Sequence, residues 1–289
     1  MNEKSLRQSS AIATFRELHD SGCFVLPNPW DIGSAIYLEH LGFKALATTS
    51  AGFAFSRGLQ DSVAAVPCDL MLEHIREVVA ATSLPVNADF QTGYADEPEG
   101  VATNVALCIA TGVAGLSIED ATGNAAAPLY DFDLAVERIK AARAAIDASG
   151  IPVVLTARCE AWLVGKPDPL RASLERLVAF AEAGADCLYA PGVRDPDEIE
   201  TIVKAVSPKP VNVLVSRFNS DLTVSRLSDL GVRRISVGSA LACVAWGAFM
   251  RAARSILETG SFDALANAAS FGELNDLFSS RRKTTISEQ

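Results

Sequence analysis

The chain has no apolar run long enough to cross a bilayer, no CxxC cysteine pair and only three histidines among its 289 residues. A membrane helix needs roughly 20 largely apolar residues, and no stretch approaches that, so no membrane association is expected. The opening MNEKSLRQSSAIATFRELHD lacks the apolar centre of a secretory signal, which favours a cytoplasmic setting. The six cysteines stand apart, and Cys23, Cys108, Cys187 and Cys243 lie in apolar contexts that suit small core residues in a reducing compartment. Cations are scarce too. Lys and Arg number 25 against 35 Asp and Glu, a net charge of −10, and such a surface repels the phosphate backbone of nucleic acids. The one basic cluster, Arg281-Arg282-Lys283, lies in a polar tail and reads as a solvated end.

What is present is a regular alternation. Eight short apolar runs end in small or polar residues: 23–28, 45–50, 84–89, 115–120, 153–158, 187–192, 211–216 and 234–239. Helical patterns lie between them at 31–41, 68–81, 98–111, 131–148, 169–183, 195–206 and 221–230, and another follows at 240–258. Asp31, Asp131 and Asp195 are placed to cap helix N-termini, Pro98, Pro169 and Pro196 suit first turns, and Gly112, Gly184 and Gly231 suit helix exits. The strands read as near-continuous apolar runs, as expected of parallel strands buried on both faces. Eight strand–helix units predict a (β/α)8 TIM barrel. An open doubly wound sheet is the competitor, and the first strand is followed by PNPWDIG instead of GxGxxG. No linker interrupts the pattern. Residues 1–289 are therefore expected to form one domain, with an added helix at 5–20 and a C-terminal helical extension over 240–278 whose last helix is 263–278.

In such a barrel the site lies at the C-terminal ends of the strands. Those ends offer Asn28, Thr49, Ser50, Asn87, Asp89, Glu119, Asp120, Arg158, Glu160, Ser216 and Arg217, and the loop after the second strand adds Asp61. His19, His40 and His74 all fall in helical patterns, which argues against a histidine zinc site or a Ser-His-Asp triad, and no lysine ends a strand for Schiff-base chemistry. Carboxylates from adjoining strands repel unless a cation separates them. Hard oxygen ligands without histidine suit Mg²⁺ or Mn²⁺, and Arg158 is suited to grip a small carboxylate substrate in fork geometry. Plainer readings compete. Asp89 could cap the Thr92-Gly93 turn, Glu119 and Asp120 could pair with Arg158 in a structural ring, Ser50 could be a turn residue, and Glu160 and Arg217 could be scaffold.

The stretches PNPWDIGSA, TTSAGFAFSRGLQD, PVNADFQTGY, GVAGLSIED, ARCEAW, AEAGADCLYAPG and RRISVGSALACVAWGAF resemble the isocitrate lyase / phosphoenolpyruvate mutase superfamily over roughly Phe15 to Met250. The resemblance implies a (β/α)8 barrel whose last helix is swapped between neighbouring subunits of dimers or tetramers. It implies Mg²⁺ or Mn²⁺ bound by Asp89, with Asp61 and Glu119 holding metal-bound waters. Ser50, or Thr49 one residue earlier, would seat the substrate carboxylate with neighbouring backbone N–H groups, and Arg158 would bind substrate. The reaction implied is cleavage of a C–C bond in a small 2-oxo or 2-hydroxy (di)carboxylate through an enolate, with oxaloacetate and malate-type acids as examples. Two alternatives are P–C chemistry on a phosphonopyruvate-like substrate and a non-catalytic metal- and carboxylate-binding homologue. The chain departs from the family in its loop DATGNAAAPLYD, which carries Asn124, a candidate substrate contact, but no Cys, Lys or His. Asn87 stands where many members keep a second acid. Glu160 and Tyr94 are further candidates, for substrate contact and proton transfer.

Overall fold

The computed structural model describes residues 3–286. Its strands are β1 (Phe24–Leu26), β2 (Leu46–Ala47), β3 (Val86–Asp89), β4 (Gly115–Glu119), β5 (Val154–Arg158), β6 (Cys187–Tyr189), β7 (Val211–Leu214) and β8 (Arg234–Ser236). All pair in parallel in the order β1-β8-β7-β6-β5-β4-β3-β2. The two ends of that order meet where the Ala47 N–H donates to the Pro27 carbonyl at 3.0 Å. The predicted (β/α)8 barrel is what the chain forms.

The helices are α1 (Glu3–Asp20), α2 (Ile32–His40), α3 (Ser50–Ser56), α4 (Cys68–Ala80), α5 (Pro98–Ile109), α6 (Phe132–Ser149), α7 (Pro169–Glu182), α8 (Pro196–Val206), α9 (Val224–Asp229), α10 (Ala240–Thr259) and α11 (Phe271–Ile286). Their starts follow the expected signals. Asp31 accepts from the Ser34 N–H while the Ser34 hydroxyl accepts from the Asp31 N–H, which satisfies two orphan donors at once. Asp131 and Asp195 cap α6 and α8, and Pro98, Pro169 and Pro196 open α5, α7 and α8.

One face of each strand packs on the helices, and the other lines the barrel. The inward set differs from the expected apolar filling. Asn87, Ser117, Thr156, Asn212, Arg234 and Ser236 are buried, and they alternate along their strands with apolar residues that meet the helices. The barrel interior is therefore mixed, these polar groups sharing it with Leu26, Ala47 and Leu214. Helix α1 stoppers its N-terminal end. Phe15 is buried there, and Arg16 Nε donates to the Pro152 carbonyl at 2.8 Å. Gly115 makes room for this plug, because a Cβ there would lie 2.7 Å from the Phe15 ring and 2.8 Å from Asn87 Oδ1.

Three further corrections concern local structure. The segment after β2 is not all loop, since α3 forms there with Thr49 Oγ1 accepting the Gly52 N–H at 3.2 Å. The last helix is not 263–278 but a 3-10 turn at Asp263–Asn267 followed by α11. Helix α10, 20 residues long with a hydropathy of 1.3, does meet the length and composition of a membrane span. The sequence reading missed this because Arg251, Arg254 and Glu258 break its visible apolar run. Only Ala242 of this helix is buried, and Cys243, expected in the core, is exposed on it. All six cysteines are free, with Cys108, Cys159 and Cys187 buried.

Candidate active site

Three neighbouring strands end on charged residues: β3 on Asp89, β4 on Glu119 and β5 on Arg158. The register pairs Glu119 directly with Arg158. Arg158 gathers the acids around it. Its Nη1 lies 2.7 Å from Asp89 Oδ1, its Nη2 3.1 Å from Glu119 Oε2 and its Nε 2.9 Å from Glu160 Oε1. Its guanidinium also stands 5.1 Å from the centre of the Tyr189 ring. Of the five N–H donors on a guanidinium, three are thus engaged, leaving two for a ligand.

Asp89 is fixed on both sides. Its Oδ2 accepts the Ser50 N–H at 2.9 Å, and its own N–H donates to Thr48 Oγ1 at 2.9 Å. Asp61 arrives from the loop after α3, with Oδ1 accepting from Gln91 Nε2 at 3.0 Å. The turn that follows Asp89 is strained. Gln91 and Tyr94 have φ of 46° and 58°, a left-handed region costly for residues other than glycine, and Gly93 has φ of 76°. Arg138 overcomes that cost by donating to the carbonyls of Thr92, Ala95 and Asp96, with its guanidinium 3.9 Å from the centre of the Tyr130 ring.

One guanidinium cannot balance this much acid. Burial pushes Glu119 well above the ordinary carboxylate range, with Glu160, Asp89 and Asp61 adding to the rise against the pull of Arg158. Glu160 is raised for the same first reason. Asp61 is raised by burial and by Asp89, while Ser50, Arg158 and Gln91 draw it back. Burial works against the charge on Arg158 as well, yet Glu160, Glu119 and Asp89 together hold it above its usual value. Arg158 therefore stays charged, and the surplus acid carries the strain.

A cavity of about 150 Å³ opens beside this cluster, with Thr49, Ser50, Asp61, Asp89, Arg158 and Tyr189 at its mouth. It is small against the roughly 300–1,000 Å³ of drug-sized pockets, so a few-carbon ligand fits it best. Glu119 and Glu160 stand behind Arg158, outside the lining. Asn124 is not brought in. It is exposed, and its Oδ1 accepts the Ala126 N–H at 3.0 Å within its own loop. Asp120, grouped with Glu119 in the sequence, is held by Arg176 and by the Glu160 N–H. Arg217 is exposed. The ion-pair ring expected as a plainer reading exists in part: Glu119 does pair with Arg158, Asp120 pairs with Arg176 instead, and only Asp89 and Arg158 of the cluster line the cavity. Sequence reasoning passed over Thr48, Gln91, Tyr189, Asn212, Arg234 and Ser236. For Asn212, Arg234 and Ser236 the one signal was a polar residue at alternate positions within short runs read as apolar.

The donor set fits a hard divalent cation. Among the described residues no three acidic, histidine or cysteine side chains sit close enough to ligate an ion together; the carboxylates of Asp61 and Asp89 on the cavity wall are the hard oxygen donors, one or two in number, that Mg²⁺ takes alongside its own waters. Two buried acceptors, Asn87 Oδ1 and Gln91 Oε1, have no protein donor. Gln91 is the side chain that donates to Asp61, so its oxygen can receive a hydrogen bond from such a water, while Asn87 Oδ1 faces Gly115 at the plugged end.

The sequence model described as phosphoenolpyruvate phosphomutase matches residues 15–257. A candidate lyase/mutase from Burkholderia cenocepacia J2315 is 47% identical, with a TM-score of 0.91 over 94% of this chain and 98% of that one. An uncharacterised protein of Mycobacterium tuberculosis is 33% identical over 84% of this chain and 88% of its own length. The oxaloacetate decarboxylase of Pseudomonas entomophila is 30% identical over 78% of each chain.

Proposed function

Because the chain belongs to the phosphoenolpyruvate phosphomutase family, we propose that it is a Mg²⁺-dependent lyase that cleaves a C–C bond of a small 2-oxo or 2-hydroxy carboxylate. The observation that carries the reading is the set Asp61, Asp89 and Arg158 on one wall of a cavity sized for such an acid. The similarity to an oxaloacetate decarboxylase supports the substrate class.

Asp89 would hold the ion directly, with Asp61 receiving its waters, whereas Glu119, expected to share that role, stands outside the cavity lining on Arg158. When bound, Mg²⁺ supplies a positive charge for the negative charge that develops on the substrate's 2-oxygen as the bond breaks. The two uncommitted N–H groups of Arg158 grip the substrate carboxylate. Glu160 and Glu119 fix the plane of that guanidinium from behind, so it is aimed before the ligand arrives. Ser50 contributes at the mouth, where its backbone N–H already orients Asp89. Thr49 serves as the cap of α3, and that cap holds Ser50 in place. With oxaloacetate, the C3–C4 electron pair stays on C3 as an enolate while carbon dioxide leaves, and the carbon is then protonated.

Calorimetry with Mg²⁺ and oxalate, an enolate mimic, tests the site. Metal-dependent binding is expected in the natural chain and is lost in Asp89→Ala. Persistence of that binding in the variant sinks the assignment. A panel of oxaloacetate, malates, citrates and phosphonopyruvate then reads the reaction, with turnover of oxaloacetate or a substituted malate expected. Exclusive turnover of phosphonopyruvate would move the chain to P–C chemistry, and binding without turnover would make it a non-catalytic homologue.

The chain is also proposed to associate with copies of itself through its last helices. Val244, Phe249, Met250 and Leu257 of α10 are 68%, 61%, 53% and 87% exposed, and a second chain covering them would remove that apolar surface from water. Light scattering checks this, with a mass of two or four chains expected.

A further inference from the structure

The floor of the cavity holds a second arginine that the reading above does not use. Arg234 opens β8, is 2% exposed and turns into the barrel. Its Nε donates to Asn212 Oδ1 at 2.9 Å, its Nη2 to Thr156 Oγ1 at 3.0 Å, and its Nη1 faces His19 Nε2 at 3.3 Å. These are its polar partners among the described residues, and no carboxylate is among them. His19 brings no negative charge. Its ring is held neutral, because burial and then Arg234 itself push it down to about 3, and its Nδ1–H donates to the Phe15 carbonyl at 2.7 Å. Buried charges are ordinarily paired, since an unpaired one forfeits its hydration with nothing in return.

The same 150 Å³ cavity is lined by Arg158 at the mouth and by Arg234 at the floor. Two of the five donors on Arg234 are uncommitted, and Ser236 and Asn87 stand beside the route between the two groups. We propose that Arg234, with Asn212 and Ser236, forms a second anion-binding position on the cavity floor that receives the distal carboxylate of a dicarboxylate substrate. This rests on the reading that the mouth binds a 2-oxo or 2-hydroxy acid, and it narrows that class to dianions. Monocarboxylates of the same length leave the floor guanidinium without an anion and bind more weakly.

The test compares malate with 2-hydroxybutyrate, four-carbon acids that differ in a terminal carboxylate against a methyl group. Each competes with oxalate for the Mg²⁺-loaded protein in calorimetry. Malate is expected to bind roughly ten- to a hundredfold more tightly, the usual worth of a charge-assisted hydrogen bond. Arg234→Met should bring the ratio to near unity, and Arg234→Lys should keep part of it. Ser236→Asp provides a second route that keeps the guanidinium. It places a carboxylate in the floor position, since Asn212 bridges Ser236 and Arg234, and it should also erase the preference. Equal binding of the two acids by the natural chain overturns the proposal, whatever the variants do. So does an unchanged preference in Arg234→Met or Ser236→Asp, or a loss in Arg234→Met that strikes oxalate and malate alike. Absence of Mg²⁺-dependent oxalate binding in the natural chain overturns the underlying reading instead, so the two failures are told apart.

Discussion

Two buried guanidinium groups share one cavity, and their surroundings are opposites. Arg158 closes β5 and touches three carboxylates within 3.1 Å, whereas Arg234 opens β8 and touches only neutral acceptors. Position along the strand accounts for the difference. Strand C-termini run into loops long enough to bring in Asp61 and Glu160. The N-terminal end is closed by α1, and the acid that stands there, Asp186, is taken by Arg16 and Arg143. The mouth thus has a surplus of negative charge and the floor a surplus of positive charge. In the proposed reading a metal ion answers the first, and a ligand carboxylate answers the second.

Removing Arg158 should break this contrast most severely. In Arg158→Met, Glu119 and Glu160 lose their countercharge, and loss of one partner from a buried pair costs roughly 3–5 kcal/mol. Both acids have folded pKa values raised above their unfolded ones. Such groups favour the folded state below the unfolded value, and that contribution is lost as pH rises through the folded value. The variant should therefore lose more stability at pH 8 than at pH 5 in urea titrations. Arg234→Met removes a charge that has no acid to abandon. It should cost less, roughly 1–2 kcal/mol for the unpaired Asn212 oxygen, with no comparable growth towards alkaline pH. Equal losses for the two variants would show that the mouth and floor are not electrostatically distinct.

A smaller effect is expected one shell away from the mouth. Arg138 touches no acid of the cluster and clamps only the carbonyls that hold the strained turn after Asp89. Arg138→Gln should lower Mg²⁺ affinity about tenfold, as loss of outer partners commonly does, and the floor preference for malate should survive. Calorimetry of both ligands on the one variant checks this. If the malate preference collapsed with the metal affinity, mouth and floor would be one unit.

Much of this was legible in the chain itself, for identifiable reasons. Parallel strands between helices leave an unmistakable alternation, and the rule that chemistry gathers at strand C-termini picks out Asp89, Glu119 and Arg158 without coordinates. Asn124 was misplaced because a loop's sequence does not say which way it folds, and this one spends the side chain on its own turn. Glu160 was expected at the substrate but stands on Arg158 outside the cavity lining, a distinction that depends on how the chain turns in the two residues after β5. The floor was least visible. Asn212 and Arg234 sit in strands of four and three residues, too short for alternation to stand out from an apolar run. A buried arginine at a strand start looks in sequence like any solvated strand end.

The last expected effect tests the seal beneath the floor. The folded pKa of His19 is depressed to about 3, so the neutral ring favours folding above the unfolded value near 6.5, and that contribution drains away as pH falls from 6.5 towards 3. Nδ1 donates to the Phe15 carbonyl and Nε2 must accept from Arg234, so protonation would set two cations face to face. Glutamine can make both hydrogen bonds without taking up a proton. His19→Gln should therefore match the natural chain within about 0.5 kcal/mol at pH 7. It should lose less stability than the natural chain on going to pH 5, by an amount below the roughly 1.4 kcal/mol per pH unit of a fully buried group, since this ring is only partly buried. Unfolding midpoints at the two pH values give the comparison. If the natural chain and the variant lost the same stability, His19 would not be held neutral by burial and by the cation above it.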